Sequence, residues 1–124
     1  MAHGHFHWNE LMTRDVEGAK KFYADVIGWT FDSMDMAQGG TYTVAMDGET
    51  PLGGLFDMTG TDFDGMPKHW FAYISVDDID ARLEKAVAAG AEIVRPVFDV
   101  PEVGSIATLK QPDGVVIGWM TPAN

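Results

Sequence analysis

The chain has 124 residues, enough for one domain with a hydrophobic core, and its 46% hydrophobic content argues against disorder. Its net charge of −11 argues against binding to nucleic acids or to anionic membranes, whose phosphates a surface this acidic repels. The sequence contains no cysteine, which excludes disulfides, thiolate nucleophiles and cysteine-based zinc sites.

The first residues, MAHGH, form a polar lead-in without the apolar run of a signal peptide. No later stretch approaches membrane-spanning length, so we expect a cytoplasmic protein. His3, His5 and His7 alternate, and an extended chain would place them on one face, where they could bind a divalent metal. The alternative, which we favour, is a frayed terminus followed by ordinary strand residues.

The stretch from His7 to Trp29 predicts a strand, a short turn and a helix. Strand alternation places Trp8, Glu10 and Met12 on one face. Asp15 is the predicted N-cap of the helix, and apolar residues follow at helical spacing. Gly28 is predicted to end the helix as its C′ residue.

Three further strands are predicted in the first half of the chain: Trp29–Met36, Thr41–Met46 and Thr50–Met58. Gln38-Gly39-Gly40 predicts a turn, and Asp47-Gly48 is a strong hairpin signal. The Gly53-Gly54 pair predicts either a bulge or a close approach by another group. The polar, Gly-rich segment 59–67 then reads as a linker. Its two apolar side chains predict either a lid over a pocket or an anchor for the loop: Phe63 and Met66.

The second half of the chain repeats the scheme, with Phe71 at the position of Trp8, Tyr73 at that of Glu10 and Asp78 at that of Asp15. Its predicted elements are a strand, a helix and three strands: Lys68–Val76, a helix that starts at Asp77-Asp78 and runs to about Ala89, Ala91–Asp99 with a break near Pro96, Ser105–Lys110 and Val115–Met120. A turn flanked by Pro101 and Gly104 is also expected. The chain is therefore predicted to be a single domain built from two similar modules, approximately residues 5–58 and 68–121.

Three segments resemble segments of a known protein family: ELMTRDVEGAKKFYADVIGW, YISVDDIDARLEKAVAAGAEI and QPDGVVIGW. With their order in the chain, they resemble the vicinal oxygen chelate superfamily, which includes glyoxalase I, extradiol dioxygenases and bleomycin resistance proteins. The resemblance implies an α+β fold in which two tandem βαβββ modules form a curved mixed sheet around a cleft. It also implies a homodimer.

Metal-dependent members of that superfamily hold one divalent ion with residues from the first and last strands of the modules. Carried over by position, those ligands fall on residues that cannot coordinate a metal through a side chain: Trp8, Gly54, Phe71 and Gly118. A slip of the alignment would bring His7, His69 or Glu10 to such a position. A slip of one residue would also turn the side chain to the other face of the strand. No metal cofactor is therefore predicted, although a divalent metal remains an open alternative.

The resemblance instead implies an aromatic pocket for a small molecule, and eight residues are its predicted lining: Trp8, Glu10, Met12, Gly54, Phe71, Tyr73, Gly118 and Trp119. Glu10 is the candidate catalytic residue, because a carboxyl buried among aromatic rings has a raised pKa and can act as a general acid or base. The competing interpretation is that these aromatic residues belong to the core.

Three hypotheses of function follow. The first is a protein that binds a small, aromatic molecule in a metal-free cleft. The second is a lyase, isomerase or dioxygenase-type enzyme that uses Glu10 or a non-standard metal site. The third is an interaction module whose cleft is filled by its own side chains. The eight methionines would suit this role, because flexible methionine side chains fill gaps in a protein interior.

Overall fold

A computed structural model describes residues 3–35, 40–100 and 103–123 of the chain. Two predicted turns lie partly outside the described residues. Gln38 and Gly39 of the first turn and Pro101 of the second are not among them. The elements in chain order are β1 Phe6–Thr13, α1 Val16–Val26, β2 Thr30–Asp35, β3 Thr41–Asp47, β4 Thr50–Asp57, a 3₁₀ turn Thr61–Phe63, β5 His69–Ser75, α2 Ile79–Ala88, β6 Glu92–Val100, β7 Gly104–Lys110 and β8 Val116–Pro122. The predicted α+β fold with two tandem βαβββ modules is confirmed.

Both helices begin where the sequence predicts, because an aspartate caps each of them. The Asp15 carboxylate accepts a hydrogen bond from the Gly18 backbone N–H at 2.9 Å, and Asp78 accepts one from Ala81 N–H at 3.2 Å. Gly28 ends α1 with a φ of 93°, and its N–H donates to the Tyr23 carbonyl. These caps satisfy backbone groups that the helix itself leaves unpaired.

Two strand details differ from the prediction. The β3–β4 hairpin turns at Gly48-Glu49, since Asp47 pairs with Thr50, so the turn lies one residue later than expected. The pairing of β6 with β7 shifts in register between Ile93 and Arg95 and again between Arg95 and Phe98, at the break predicted near Pro96, but the strand itself continues to Val100. A proline is tolerated there because β6 is paired on one side only within its module.

The chain divides into two structural units. The first unit is Trp8–Phe71, and it includes the segment 59–67 that the sequence predicts as a linker. Its strands lie in the order β2-β3-β4-β1, where β1 and β4 are parallel and the other pairs antiparallel. Helix α1 packs against β4, yet no residue of α1 is buried. The apolar stripe of α1 is therefore only partly covered.

The second unit comprises Ala72–Asn124 with Met1–His7, and its strands lie in the order β5-β8-β7-β6. Helix α2 packs against β6, β7 and β8, and it buries Ile79 and Leu83. These two residues belong to a cluster of buried apolar side chains: Val76, Ile79, Leu83, Ala91, Ala107, Leu109 and Ile117. The second unit thus has a hydrophobic core beneath its helix, of the kind that dominates folding stability.

Candidate functional site

One face of the sheet in the first unit carries the side chains that the sequence singles out in this half of the chain. In β1, alternation places Trp8, Glu10 and Met12 together. In the parallel β1–β4 pair, Glu10 is the Cα partner of Gly54 and Met12 is the partner of Phe56. Strand β3 adds two residues to the same side of the sheet, since Val44 pairs with Gly54. We call this surface the Glu10 face: Trp8, Glu10, Met12, Tyr42, Val44, Gly54 and Phe56.

A chain of hydrogen bonds fixes the carboxylate of Glu10 on this face. The Tyr42 hydroxyl donates to Glu10 Oε2 at 2.5 Å, and the same hydroxyl accepts from the indole Nε1–H of Trp8 at 3.1 Å. Glu10 is only 8% exposed, and burying a carboxylate is costly unless it is hydrogen-bonded. The Tyr42 hydroxyl supplies such a hydrogen bond. The indole, the phenol and the carboxylate therefore form one connected polar group.

Tyr42 is the residue of this site that sequence analysis missed. It lies in TYTVAM, which reads simply as a strand rich in β-forming residues. A tyrosine in a strand has no signature that distinguishes a structural from a functional role. Only the register of β1, β3 and β4 shows that its hydroxyl reaches Glu10.

The two adjacent glycines of β4 permit close approach, as one of the two sequence-based alternatives predicted. A Cβ atom at Gly53 would lie 2.6 Å from the Asn9 carbonyl oxygen. A Cβ atom at Gly54 would overlap the hydroxyl and the ring of Tyr42. The space beside Gly54, a predicted lining residue of the pocket, is thus filled by the Tyr42 side chain, which glycine alone accommodates.

The segment that follows β4 borders the Glu10 face at one end. The Phe63 ring packs edge-on against Phe56, with ring centroids 5.4 Å apart and planes 68° apart. Arg14 Nη2 donates to the carbonyl oxygens of Phe63 and Met66 at 2.9 and 2.8 Å. Between the two sequence-based alternatives for this segment, the contacts of Phe63 support an anchored loop.

Phe71 also belongs to the first unit and is buried, with its ring edge-on to His69 at 6.0 Å between centroids. His69 Nδ1 lies 2.7 Å from the Pro67 carbonyl oxygen, so this nitrogen carries the hydrogen and donates it. This hydrogen bond fixes the orientation of the His69 ring at the start of β5.

In the second unit, Tyr73 and Gly118 are Cα partners in the parallel β5–β8 pair and share one face of the sheet. Trp119 lies on the other face, where it pairs with Ile74 and packs against the core beneath α2. Trp119 therefore lies on the face opposite to Tyr73 and Gly118, whereas the sequence predicts one shared lining for Gly118 and Trp119. The physical reason is strand geometry, because neighbouring residues of a strand point to opposite faces.

The amino-terminal histidines His3, His5 and His7 are exposed and belong to the second unit. His3 Nδ1 accepts a hydrogen bond from the Asp77 N–H at 3.1 Å and lies 3.5 Å from Asp77 Oδ1, and the His5 carbonyl accepts from the Ser75 N–H. Arg82 donates two hydrogen bonds to the Asp77 carboxylate, which holds the pKa of that carboxyl well below its usual range. These contacts join the start of the chain to the turn before α2.

The residues at the ligand positions of metal-dependent relatives do not fit a metal ion. Trp8, Gly54, Phe71 and Gly118 carry no oxygen or imidazole donor. Across the described ranges 3–35, 40–100 and 103–123, no three or more histidine, aspartate or glutamate side chains come together as a metal site would require.

Within the part of the chain that the structure describes, no helix has the length and apolar character needed to cross a membrane.

Comparisons with known proteins agree with this architecture. Residues 4–118 match the family model "Glyoxalase/Bleomycin resistance protein/Dioxygenase superfamily". The chain is 39% identical over 116 residues to "Putative glyoxylase CFP32" of Mycobacterium tuberculosis, a match that covers 94% of this chain and 43% of that protein. It is 31% identical over 119 residues to "Anthracycline biosynthesis protein DnrV" of Streptomyces peucetius, covering 86% of this chain and 43% of that protein. The chain thus spans less than half the length of these relatives.

Among solved structures, methylmalonyl-CoA epimerase from Mycobacterium tuberculosis superposes with a TM-score of 0.66 at 16% sequence identity. The superposition covers 98% of this chain and 89% of that one, and at this identity it shows a shared fold. Together with the family match over residues 4–118, the two βαβββ modules identify the chain as a member of the glyoxalase/bleomycin resistance protein/dioxygenase superfamily.

Proposed function

We propose that the protein binds a small, aromatic molecule on the Glu10 face, without a metal ion. The observation that carries this proposal is the nearly buried Glu10 carboxylate, held by Tyr42 and Trp8 on an otherwise apolar and aromatic surface. Small-molecule sites combine apolar walls with a few fixed polar groups in this way. A carboxylate has about four lone-pair positions, so Glu10 can accept a ligand donor in addition to its protein partners.

The comparisons supply further support, because the names of two similar proteins refer to small molecules. DnrV is named for anthracycline biosynthesis, and the epimerase is named for methylmalonyl-CoA. A cationic or hydrogen-bond-donating group of such a molecule can pair with Glu10, and the Trp8 indole contributes to the aromatic surface beside it.

The test is a screen of planar aromatic compounds, with and without an amino group, by thermal shift and by tryptophan fluorescence. We expect amino-bearing compounds to raise the melting temperature of the wild-type protein, since binding to the native state stabilises it. Glu10→Gln and Trp8→Phe should each weaken this shift. Glu49→Gln in the exposed β3–β4 turn is the matched control and should leave the shift unchanged. Equal binding by Glu10→Gln and wild type would reject the proposal.

The absence of a metal requirement has its own test. Tag-free protein should contain far less than one equivalent of metal by mass spectrometry, and Zn²⁺, Ni²⁺, Mn²⁺, Fe²⁺ and Mg²⁺ should not shift its melting temperature. Near-stoichiometric metal would contradict this part of the proposal and would favour a metal enzyme with non-standard ligands.

A second candidate function is proton transfer by an isomerase or lyase, and the hydrogen bond from the Tyr42 hydroxyl to the buried Glu10 carboxyl group favours it. A carboxylate and a phenol joined by a hydrogen bond can accept and return a proton during a reaction. Acyl thioesters with an acidic α-C–H should then exchange that hydrogen in D₂O, as followed by NMR. Exchange that is abolished in Glu10→Gln would support the enzyme, whereas exchange at the uncatalysed rate in wild type would exclude it for these substrates.

We also propose that the protein is a homodimer that uses the exposed face of α1. Three apolar side chains in the last turns and at the C-cap of this helix remain accessible: Phe22 (56%), Val26 (65%) and Ile27 (58%). A cluster of exposed apolar residues marks an interaction surface, and a second copy would cover it. Light scattering at micromolar concentration should give the mass of a dimer, and Val26→Lys should give a monomer. Val87→Lys, on the exposed side of α2, is the control, and a monomeric wild type would contradict the proposal.

A further inference from the structure

Phe56 and Phe63 form an aromatic pair next to the proposed ligand site. We propose that this pair is the subsite that receives the ring of the ligand, and that Arg14 is the residue that positions it. The ligand class that follows is a molecule with an aromatic ring at one end and an ammonium or similar donor at the other. This inference rests on the proposed function, because it assigns the polar end of the ligand to Glu10.

The register of β1 and β4 sets the distance between the two ends. Glu10 pairs with Gly54, and Met12 pairs with Phe56, so the two pairs are two residues apart along parallel strands. At about 3.3 Å per residue, the levels of Glu10 and Phe56 are separated by roughly 7 Å. Alternation keeps both side chains on the Glu10 face. A ligand that spans them therefore needs about that distance between its donor and the centre of its ring.

The ring of Phe63 completes the subsite from the loop after β4. It meets Phe56 edge-on, with centroids 5.4 Å apart, and both side chains are half-buried and so keep part of their surface accessible. Edge-to-face and offset-stacked contacts are the favoured geometries between aromatic rings. A third ring can join this pair in the same geometry, whereas an alkyl chain gains only the burial of its surface.

Arg14 links the position of Phe63 to the strand that carries Glu10. It follows the last residue of β1, and its Nη2 donates to the Phe63 and Met66 carbonyl oxygens at 2.9 and 2.8 Å. The start of the same loop is held by the Met58 N–H, which donates to the Thr13 carbonyl at 2.9 Å. Both attachments lead to the end of β1, so Phe63 keeps its place relative to Glu10. The planar guanidinium can satisfy two carbonyls from one nitrogen, and lysine reproduces this geometry only in part.

The overall charge is consistent with this ligand class. A net charge of −11 attracts cationic small molecules and repels anionic ones. The ammonium of an arylalkylamine would meet the Glu10 carboxylate, which already accepts from Tyr42.

The experiment compares two series of probes: phenylalkylamines from benzylamine to 4-phenylbutylamine, and the straight-chain amines without the ring. Dissociation constants are measured by calorimetry for wild type, Phe63→Ala, Arg14→Ala and Glu10→Gln. In wild type, 4-phenylbutylamine should bind about 10-fold more tightly than n-butylamine, as expected for one well-packed aromatic contact. The advantage should fall as the spacer shortens to benzylamine.

The variants separate the roles of the three residues. Phe63→Ala and Arg14→Ala should remove most of the preference for the phenyl series while leaving n-butylamine binding as in wild type. Arg14→Lys should restore part of the preference, and Phe63→Leu, which keeps the bulk of the side chain, should still lose it. Phe98→Ala, which removes a phenylalanine ring that lies under the Arg95 guanidinium in β6 of the second unit, is the control and should keep the full preference.

An unchanged preference in Phe63→Ala and Phe63→Leu would overturn the subsite, and an equal loss for both series of amines would do the same. If Glu10→Gln still weakened all amines in that case, the proposed function would stand without this inference. Binding of no amine by the wild-type protein would reject both for this ligand class.

Discussion

Replacing Gly54 with alanine is the most direct test of the polar group on the Glu10 face. The added Cβ would overlap the Tyr42 hydroxyl and ring, so Tyr42 must leave its position. The Glu10 carboxylate would lose the Tyr42 hydrogen bond, and the Trp8 indole would lose its acceptor. A substitution that is usually favourable in a strand is therefore expected to destabilise this protein.

The magnitude follows from the two hydrogen bonds. A hydrogen bond to a charged group contributes about 1.5–3 kcal/mol, and a neutral one contributes about 0.5–1.5 kcal/mol. The intrinsic preference of a strand for alanine over glycine offsets about 0.5–1 kcal/mol. We expect Gly54→Ala to lower the free energy of unfolding by about 1–4 kcal/mol, which is a large part of the stability of a small domain.

The assay is urea denaturation of four proteins: wild type, Gly54→Ala, Tyr42→Ala and the double variant. In the Tyr42→Ala background the new methyl group has room, so Gly54→Ala should cost about 0.5 kcal/mol or less there. Gly60→Ala is the control, since its Cβ would meet only the Phe63 ring at 3.8 Å. If Gly54→Ala costs the same with and without the Tyr42 side chain, the reasoning from close approach is refuted.

Three further predictions concern the helices. Asp15→Ala should lower the free energy of unfolding by about 0.5–2 kcal/mol through loss of the α1 N-cap, and an equal loss in Asp15→Asn would argue against capping as the cause. Leu83→Ala should lower the free energy of unfolding by about 2–5 kcal/mol because it opens a cavity beneath α2. Val87→Ala on the exposed side of α2 should change the free energy of unfolding by no more than about 0.5 kcal/mol. Similar losses in both variants would contradict the placement of this helix. Arg82 lowers the pKa of Asp77, so the Asp77 carboxylate stabilises the native state above the pKa of unfolded aspartate, about 3.9, and this stabilisation is lost as the pH falls through the lower native pKa. The urea midpoint of Asp77→Asn should therefore fall less than that of wild type between pH 5 and pH 2. Parallel pH profiles of the two proteins would exclude this contribution.

The order of elements was readable from the sequence because it depends on local interactions. The aspartates before both helices, the glycine after α1 and the alternation in the strands each act within a few residues of the chain. The same local signals repeat in the second half, which is why two βαβββ modules could be predicted before any contact between strands was known. The resemblance to the superfamily then supplied the predicted ligand positions, and the residues at those positions carry no metal donor.

The face on which Trp119 lies also has a local origin. Once Gly118 is assigned to the ligand face, the period of two in a strand places Trp119 on the opposite face, against the core of the second unit. An aromatic residue close in sequence to a predicted site is thus a poor guide to the lining of that site. The alternation of side chains along a strand is a better guide to which residues line the same site.

What the sequence alone determined is the family, the element order and Glu10 as the carboxylate of interest. What only the tertiary structure decided is which groups surround that carboxylate. Tyr42 lies 32 residues beyond Glu10 in the chain, and its hydroxyl reaches Glu10 because β4 lies between β1 and β3 and presents Gly54 at the crossing point. Arg14 and the Phe63 carbonyl are 49 residues apart and meet for a similar reason. Such contacts depend on strand order and register, which arise from the packing of the whole sheet and leave no periodic trace in the sequence.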